Sequence, residues 1–269
     1  MRTLLAGRLV PFLAALLFAA AAQAQHPPLL TCDAGGIGSV PLTADGPPVS
    51  ILEVSTGTTG GVPYCLVKVL VPQAINIWVG LPTAGQWNGR LQSQGGGGYA
   101  GSVGVPSGAI QGGYVGIATD TGHVGGSGSF GMLEPGVPNT ALQIDFAYRS
   151  EHLMAVIGKQ LTQAFYGRAP EYSYWNGCST GGRQGLMMAQ RFPGDYDGIL
   201  AGAPAIHWDR FQAAQIWPQV AMLRDNGGNF STAKKALATS AAVAACDAQD
   251  GVEDGVLDDP RACAFDAHA

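Results

Sequence analysis

The sequence predicts an α/β fold in which a parallel sheet carries helices on its faces. Hydrophobic residues recur at helical spacing over residues 144–166, and Gly167 and Pro170 end this predicted helix. The strand YSYWNG, the helical segment GRQGLMMAQRF and the strand DGILAGAP then follow in order. Because strands that alternate with helices pair in parallel, this succession is typical of α/β domains. The 269 residues, 46% of them hydrophobic, suffice for a sizeable core.

Segments upstream of this helix add further strands. Residues 25–60 are rich in Gly, Pro, Thr and Ser and indicate short strands and loops. YCLVKVLVP (64–72) alternates in hydrophobicity, and INIWVGLP (75–82) is its predicted partner. GRLQSQGGGGYAG (89–101) indicates a short strand that runs into four glycines, and GGYVGIATD (112–120) indicates a buried strand.

The character of the chain changes after Pro204. AQIWPQVAMLRDNGG and STAKKALATSAAVAAC predict two amphipathic helices, the second with Ser231 as its N-cap. A segment rich in Asp and Gly follows them. The sequence therefore predicts an α/β part followed by a mainly helical part.

The first 24 residues predict a signal peptide. Arg2 and Arg8 provide the basic start, an apolar run follows, and Ala22-Gln23-Ala24 matches a cleavage site. This run is short for a membrane anchor, and no later stretch is long and apolar enough to cross a bilayer. We therefore expect a mature chain without a membrane span, secreted or periplasmic, in a compartment that permits disulfides.

Charge and cysteine content restrict the function classes. The net charge is −5 and the 14 Lys and Arg residues are scattered, which argues against nucleic-acid binding. No C-x-x-C spacing occurs, which argues against a thiolate metal site. The mature chain holds an odd number of cysteines, so at least one lacks a partner within it: Cys32, Cys65, Cys178, Cys246 and Cys263. No feature of the sequence indicates an oligomeric state.

The segment YWNGCSTGGRQG, residues 174–185, carries the main catalytic signal. Within it, GCSTG fits the G-x-S-x-G pattern of a nucleophile elbow, in which Ser179 would lie on a sharp turn from strand to helix. Small residues flank the serine because the backbone folds tightly there. A strand is predicted before it and a helix after it, as the motif requires. A Gly/Ser turn without a catalytic role fits the same letters.

A serine nucleophile needs hydrogen-bond donors for the oxyanion. The backbone N–H of Thr180, at the start of the predicted helix, is one candidate. The other candidates are in the GGGG loop at residues 95–98, with Gly97 and Gly98 as the predicted donors. A flexible turn is the plain alternative. A phosphate loop is not expected, because the chain has no G-x-x-x-x-G-K-[ST] motif and no Lys near this loop.

These segments resemble the tannase and feruloyl esterase family, which are secreted serine esterases with the α/β-hydrolase fold. GCSTGGRQGLMMAQRFPGDYDGILAGAPA is similar to the family's nucleophile motif, and GGGGYAG and ATDTGH are similar to its oxyanion loop and following strand. The resemblance implies an α/β-hydrolase domain over residues 25–205 and the start of an inserted, mainly helical lid domain over 206–269. It also implies hydrolysis of a small aromatic ester, of feruloyl or galloyl type, through an acyl-enzyme.

The same resemblance implies how the cysteines pair. In this family a disulfide joins the cysteine before the triad serine to one that follows the triad histidine. Cys178 would then be a structural residue whose partner is absent from this chain. Two disulfides are implied within the chain: Cys32–Cys65 and Cys246–Cys263.

The acid and base of a triad are missing from the sequence pattern. In α/β-hydrolases both follow the serine, and only His207 and His268 do so here. Those two residues, and His123 and His152 upstream, are better explained as structural or solvent-facing. The resemblance places the family's Asp and His in the last part of a longer chain. We therefore expect a fragment that is inactive or very weak by itself.

The acidic segment CDAQDGVEDGVLDDPRAC carries a second signal. From composition alone, a calcium loop and a solvated acidic loop are equal alternatives. The resemblance implies a structural Ca²⁺ held by the carboxylates of Asp247, Asp250 and Asp254 and the carbonyls of Val252 and Val256.

Two further hypotheses remain open. The chain could be a non-catalytic secreted protein that binds Ca²⁺ or another ligand on the same fold. It could also be an enzyme like the dienelactone hydrolases, with Cys178 as the nucleophile.

Overall fold

The computed structural model describes residues 26–44, 46 and 48–267. The predicted signal peptide and His268 lie outside these residues. The chain divides into two compact units, one ending at Pro204 and the other beginning at Ala205. In the described residues no helix is both long and apolar enough to cross a membrane.

The first unit contains a seven-stranded sheet with the order β1-β2-β3-β5-β4-β8-β9. Strands β4, β5, β8 and β9 pair in parallel, as the sequence predicts, whereas β1, β2, β3 and β5 pair antiparallel. A separate hairpin is formed by β6 and β7. The strands are β1 (Ser50–Thr59), β2 (Val62–Val71), β3 (Ile75–Pro82), β4 (Arg90–Gln94), β5 (Val115–Thr119), β6 (Met132–Glu134), β7 (Val137–Pro138), β8 (Tyr172–Cys178) and β9 (Gly198–Gly202).

The antiparallel part begins with a longer strand than the sequence suggests. Residues 25–60 are predicted to form short strands and loops, but β1 is ten residues long. It pairs with β2 through the two-residue turn Gly60-Gly61, where φ is +54° and +80°. Such a turn needs positive φ at both positions, which glycine adopts readily, and its twist matches that of the flanking strands. The hairpin thereby stabilises β1 despite its polar composition.

The described residues of the first unit form four α-helices, namely α1 (Ser107–Gln111), α2 (Thr140–Ile144), α3 (Ser150–Tyr166) and α4 (Thr180–Arg191). The buried face of α3 packs on the sheet, and Gly158 allows the close approach: a Cβ there would lie 2.8 Å from Ile117 Cδ1. At the end of α3, Tyr166 stacks on Trp87 with ring centroids 4.0 Å apart. These contacts form the main hydrophobic core.

The predicted helix over residues 144–166 is interrupted. The segment Asp145–Arg149 is a π-helical turn, and the regular helix α3 begins only at Ser150. The hydroxyl of Ser150 lies 2.6 Å from the carbonyl oxygen of Asp145, five residues earlier. The guanidinium of Arg149 bonds to the Asp145 carboxylate at 2.8 Å and to the Pro72 carbonyl at 3.1 Å. These bonds hold the wider turn, which changes the helical phase of every residue after it.

In its described part, up to residue 267, the second unit forms two α-helices, α5 (Trp208–Asn226) and α6 (Thr232–Cys246). Gly227 ends α5 with φ +66°, and the hydroxyl of Ser231 caps α6 by accepting a bond from the Lys234 N–H at 3.3 Å. The Ser231 cap agrees with the sequence prediction. The identification of this unit as the start of a lid domain stays a prediction.

Candidate active site

Ser179 occupies the turn between strand β8 and helix α4. Its backbone has φ +59° and ψ −118°, a conformation that a residue with a side chain adopts at a cost of roughly 1–3 kcal/mol. Two backbone bonds hold the turn: the Ser179 N–H donates to the Gly202 carbonyl at 3.0 Å, and its carbonyl accepts from the Arg183 N–H at 3.0 Å. The Ser179 residue is exposed. The structure thus places Ser179 where a nucleophile elbow would hold it.

Glycines flank the serine because backbone segments meet there. A Cβ at Gly177 would lie 2.4 Å from the Gly181 carbonyl oxygen, and one at Gly182 would lie 2.4 Å from the Gly202 carbonyl oxygen. A Cβ at Gly95 would lie 2.6 Å from the Gly181 Cα. Real Cβ atoms do not approach other atoms so closely. The glycines therefore allow β8, α4, β9 and the glycine loop to converge on one point.

The glycine loop, residues 95–98, lies against this turn. The Gly95 N–H donates to the Asn176 carbonyl at 2.9 Å, and the Thr180 hydroxyl donates to the Gly98 carbonyl. Gly97 and Gly98 are exposed, and no acceptor among the described residues pairs with their backbone N–H groups. The N–H of Thr180 is the first of helix α4 and also has no intrahelical acceptor. The predicted oxyanion donors are thus brought to the same turn as Ser179.

A buried polar pair behind the loop was not foreseen from the sequence. Gln184 and Glu151 are both fully buried. The Gln184 amide accepts from the Gly96 N–H at 2.9 Å and donates to the Glu151 carboxylate. Burial raises the pKa of Glu151 to about 7, although the nearby Arg183 charge opposes the rise. One feature of the sequence could have indicated a role for Gln184 near the site: it lies five residues after the candidate serine, near the start of α4.

The histidines of the first unit are occupied elsewhere. His123 is buried and stacks on Phe130 with ring centroids 3.7 Å apart. His152 bonds to the Asp195 carboxylate at 2.8 Å. Neither of them, nor His26, is hydrogen-bonded to Ser179 in the described part of this unit. For His123 and His152, this geometry agrees with the expectation that they are structural or solvent-facing.

Comparison with known proteins identifies the family. A family model described as tannase and feruloyl esterase matches residues 65–269. The chain belongs to the tannase and feruloyl esterase family. Over 200 residues it is 42% identical to a probable feruloyl esterase of Arthroderma benhamiae, a match that covers 72% of this chain and 37% of that protein. Over 242 residues it is 35% identical to feruloyl esterase B of Aspergillus niger, covering 85% of this chain and 44% of that protein.

A solved structure of the family has the same fold. The crystal structure of feruloyl esterase B from Aspergillus oryzae superimposes with a TM-score of 0.70 at 28% identity, covering 82% of this chain and 47% of that one. The α/β-hydrolase fold expected from the sequence is thereby confirmed. The chain spans less than half the length of each of these three family members.

Both disulfides implied by the family resemblance are present. Cys32 and Cys65 are joined within the first unit, and Cys246 and Cys263 within the second. Cys178 is free and exposed in the described chain. Its predicted link to a cysteine beside the triad histidine stays a prediction.

The acidic loop is folded by its own carboxylates. Asp250 and Asp254 each accept a bond from a backbone N–H two residues later, at 2.9 and 3.0 Å. The Asp247 carboxylate accepts from the Gly255 N–H at 3.0 Å. No group of three or more His, Cys, Asp or Glu side chains in the described residues is arranged to hold a metal ion. The donor chemistry suits Ca²⁺, but the predicted ligands are not gathered in this conformation.

Proposed function

We propose that the chain carries the nucleophile and the oxyanion donors of a serine esterase that hydrolyses esters of aromatic acids. The observation that carries this proposal is the strained backbone of Ser179 at the end of β8. Strain of this kind persists where surrounding structure enforces it, and it clusters at functional sites. The family relationship supports carboxylic ester hydrolysis as the reaction.

The proposed reaction has two steps. The Ser179 oxygen attacks the ester carbonyl, and the oxyanion accepts hydrogen bonds from the Thr180 N–H and from Gly97 or Gly98. Collapse of this intermediate releases the alcohol and leaves an acyl-enzyme. Water then attacks the acyl carbonyl and releases the acid, which restores the serine.

Ser179 is favoured over Cys178 as the nucleophile by backbone geometry. Cys178 is the last residue of β8, whereas Ser179 has the positive φ of an elbow residue and begins the turn into α4. Thr180, whose N–H is a proposed oxyanion donor, directly follows Ser179, and its hydroxyl bonds to the Gly98 carbonyl of the glycine loop. A cysteine mechanism would need the exposed Cys178 thiol to be the reactive group.

An aromatic acyl group is proposed from two observations. Relatives of this chain are named as feruloyl esterases, whose substrates carry an aromatic acid. In addition, Tyr99 directly follows the glycine loop and joins an aromatic cluster with Phe130 and Phe146, whose ring centroids lie 6.3 and 6.1 Å from that of Tyr99. Aromatic side chains are well suited to bind an aromatic ring.

The general base is not provided by the described histidines of the first unit. Without such a base, solvent has to accept the Ser179 proton during attack, which slows formation of the acyl-enzyme. We therefore expect this chain by itself to hydrolyse esters slowly, and fastest with an activated leaving group. The absence of the triad acid and base from the chain stays a prediction.

The test compares the chain with Ser179→Ala and Cys178→Ala on the p-nitrophenyl ester of ferulic acid. The p-nitrophenolate leaves without a proton, so a missing general acid does not mask the chemistry. We expect hydrolysis that Ser179→Ala abolishes and Cys178→Ala retains, and fluorophosphonate labelling of Ser179 by mass spectrometry. Equal rates for the chain and Ser179→Ala would contradict the proposal, and loss of activity only in Cys178→Ala would favour the cysteine mechanism.

We also propose that the acidic loop binds a structural Ca²⁺ through Asp247, Asp250, Asp254 and the carbonyls of Val252 and Val256. The Cys246–Cys263 disulfide closes this loop and limits its conformations. Hard carboxylate and carbonyl oxygens are the ligands that Ca²⁺ prefers. Binding would require the three carboxylates to turn from their backbone partners toward a common centre.

A further inference from the structure

The Gly96 N–H is held by a side chain instead of a backbone carbonyl. Gln184 Oε1 accepts this bond at 2.9 Å, and Gln184 lies five residues after Ser179 on the same helix. The neighbouring Gly95 N–H is held by the Asn176 carbonyl, and the Gly98 carbonyl by the Thr180 hydroxyl. Hydrogen bonds at Gly95, Gly96 and Gly98 thus hold the glycine loop. Of these three bonds, only the one at Gly96 depends on a long side chain.

The orientation of the Gln184 amide is determined by its neighbours. A backbone N–H can only donate, so the atom facing Gly96 must be the oxygen. The amide nitrogen then faces Glu151, whose carboxylate accepts from it. The other Glu151 oxygen lies 3.1 Å from the Ser150 hydroxyl. Both amide atoms of Gln184 therefore have partners of the right kind, whereas the single Ser150 hydrogen can go either to Glu151 or to the Asp145 carbonyl, which lies 2.6 Å from the hydroxyl oxygen.

Burial of the Gln184 and Glu151 pair between α3, α4 and the glycine loop is energetically unfavourable by itself. Gln184 and Glu151 have no exposed surface, and burial of an amide and a carboxyl group costs free energy that apolar side chains of similar volume would avoid. The pair links α3, α4 and the loop after β4, three segments that are distant in sequence. The pair holds the glycine loop in place, and the Gly97 and Gly98 N–H groups of that loop have no acceptor among the described residues.

We propose that Gln184, itself fixed by Glu151, is the positioning residue that holds the glycine loop against Ser179 and so places the oxyanion donors. This inference rests on the function proposed above. The serine and the loop would then move as one unit, because both are anchored on α4. Since a misplacement of about 1 Å can cost roughly 100-fold in rate, a tether of this kind would act on the chemical step.

The test uses Gln184→Glu and the exchange of the two side chains. In Gln184→Glu two carboxyl groups face each other, and near pH 8 their repulsion should break the contact. In the double variant Glu151→Gln/Gln184→Glu the carboxylate introduced on α4 can accept from both the Gly96 N–H and the amide introduced on α3, while the oxygen of that amide faces Ser150. Gln190→Glu, at an exposed position of the same helix, is the matched control.

Two readouts separate this proposal from the proposed function. For hydrolysis of the p-nitrophenyl ester, Gln184→Glu should lower kcat about tenfold or more with KM within about threefold, and the double variant should restore kcat. The loss should shrink near pH 5, where one of the facing carboxyls holds a proton. Amide hydrogen exchange of Gly95 and Gly96, whose N–H groups are hydrogen-bonded, should accelerate in Gln184→Glu and recover in the double variant.

Each outcome decides between the proposals. If Gln184→Glu changed neither the exchange nor kcat, the positioning role would be overturned. It would also be overturned if the double variant kept the low kcat and the fast exchange of Gln184→Glu. Faster exchange with unchanged Ser179-dependent kcat would also overturn it, while leaving the esterase proposal intact. Conversely, hydrolysis that does not depend on Ser179 would remove the proposed function, and the exchange of Gly95 and Gly96 would still show whether Gln184 and Glu151 hold the loop.

Discussion

Replacement of Glu151 by Gln should change how the stability of the protein depends on pH. The Glu151 carboxyl is fully buried, and burial raises its pKa from 4.5 to about 7. The folded state therefore binds the proton more tightly than the unfolded state does. This contribution to stability is fully present below about pH 4.5 and is lost as the pH rises through about 7. Glu151→Gln removes the titration and retains the hydrogen-bond acceptor for Gln184.

The magnitude follows from the size of the pKa shift. Each pKa unit corresponds to about 1.4 kcal/mol, so a rise of roughly 2.5 units corresponds to about 3 kcal/mol. The pKa of about 7 already includes the effects that favour the carboxylate, namely the Arg183 charge and the hydrogen bonds of Ser150 and Gln184. Between pH 4.5 and pH 8 the free energy of unfolding of the wild type should fall by about 3 kcal/mol relative to Glu151→Gln.

The assay is urea unfolding of both proteins at a series of pH values, with disulfides intact. The difference between the two curves matters, because other titrating groups contribute equally to both. Glu171→Gln, at an exposed position, controls for the loss of a charge. Curves that stay parallel within about 0.5 kcal/mol would refute the reasoning, since they would show that Glu151 has the same proton affinity in both states.

Three further predictions concern the turn, the disulfide and the acidic loop. Gly177→Ala should destabilise the protein by about 1–3 kcal/mol and lower fluorophosphonate labelling of Ser179, because the added Cβ would lie 2.4 Å from the Gly181 carbonyl oxygen. In the control variant Gly194→Ala the added Cβ meets no atom within 4 Å, so stability and labelling should stay unchanged. Replacement of Cys32 and Cys65 by Ala should lower the free energy of unfolding by about 4 kcal/mol in the chain-entropy model, because the disulfide spans 33 residues. A melting temperature that this double variant leaves unchanged would contradict the expected loss. Titration calorimetry at millimolar Ca²⁺ should give binding that Asp254→Asn weakens and Asp258→Asn leaves intact, and absence of heat in the disulfide-bonded chain would remove the calcium proposal.

The serine turn could be predicted because its determinants are local. Gly177, Ser179 and Gly181 lie within five residues, and the strand and helix on either side have clear periodicities. The backbone strain of Ser179 and the crowding at both glycines are direct consequences of that short motif. Elements whose signal is local were thus recovered with nearly correct bounds.

The predicted pairing of the strands at 64–72 and 75–82 is confirmed as β2 with β3, but the pairing of β3 with β5 and the buried pair of Glu151 and Gln184 could not be predicted from local patterns. The pairing of β3 with β5 joins strands that are separated by β4 in sequence, and no local pattern specifies it. Glu151 was not foreseen because charged residues are mostly exposed. It lies just after the π-helical turn Asp145–Arg149, which shifts the phase that a regular helical repeat would assign to it.

In the proposed mechanism, the nucleophile and the oxyanion donors all belong to the first unit. Ser179, the glycine loop and the tether from Gln184 to Glu151 all lie between residues 95 and 184, and their bonds are formed in the described chain. None of these bonds requires a histidine. The geometry of the proposed nucleophile and donors therefore depends on α3, α4 and the parallel strands, whereas in the proposed mechanism proton transfer would depend on groups outside that set. Substitutions at Gln184 should then alter the stabilisation of the oxyanion without changing the basicity that activates Ser179, and the two contributions to catalysis should be separable by mutation.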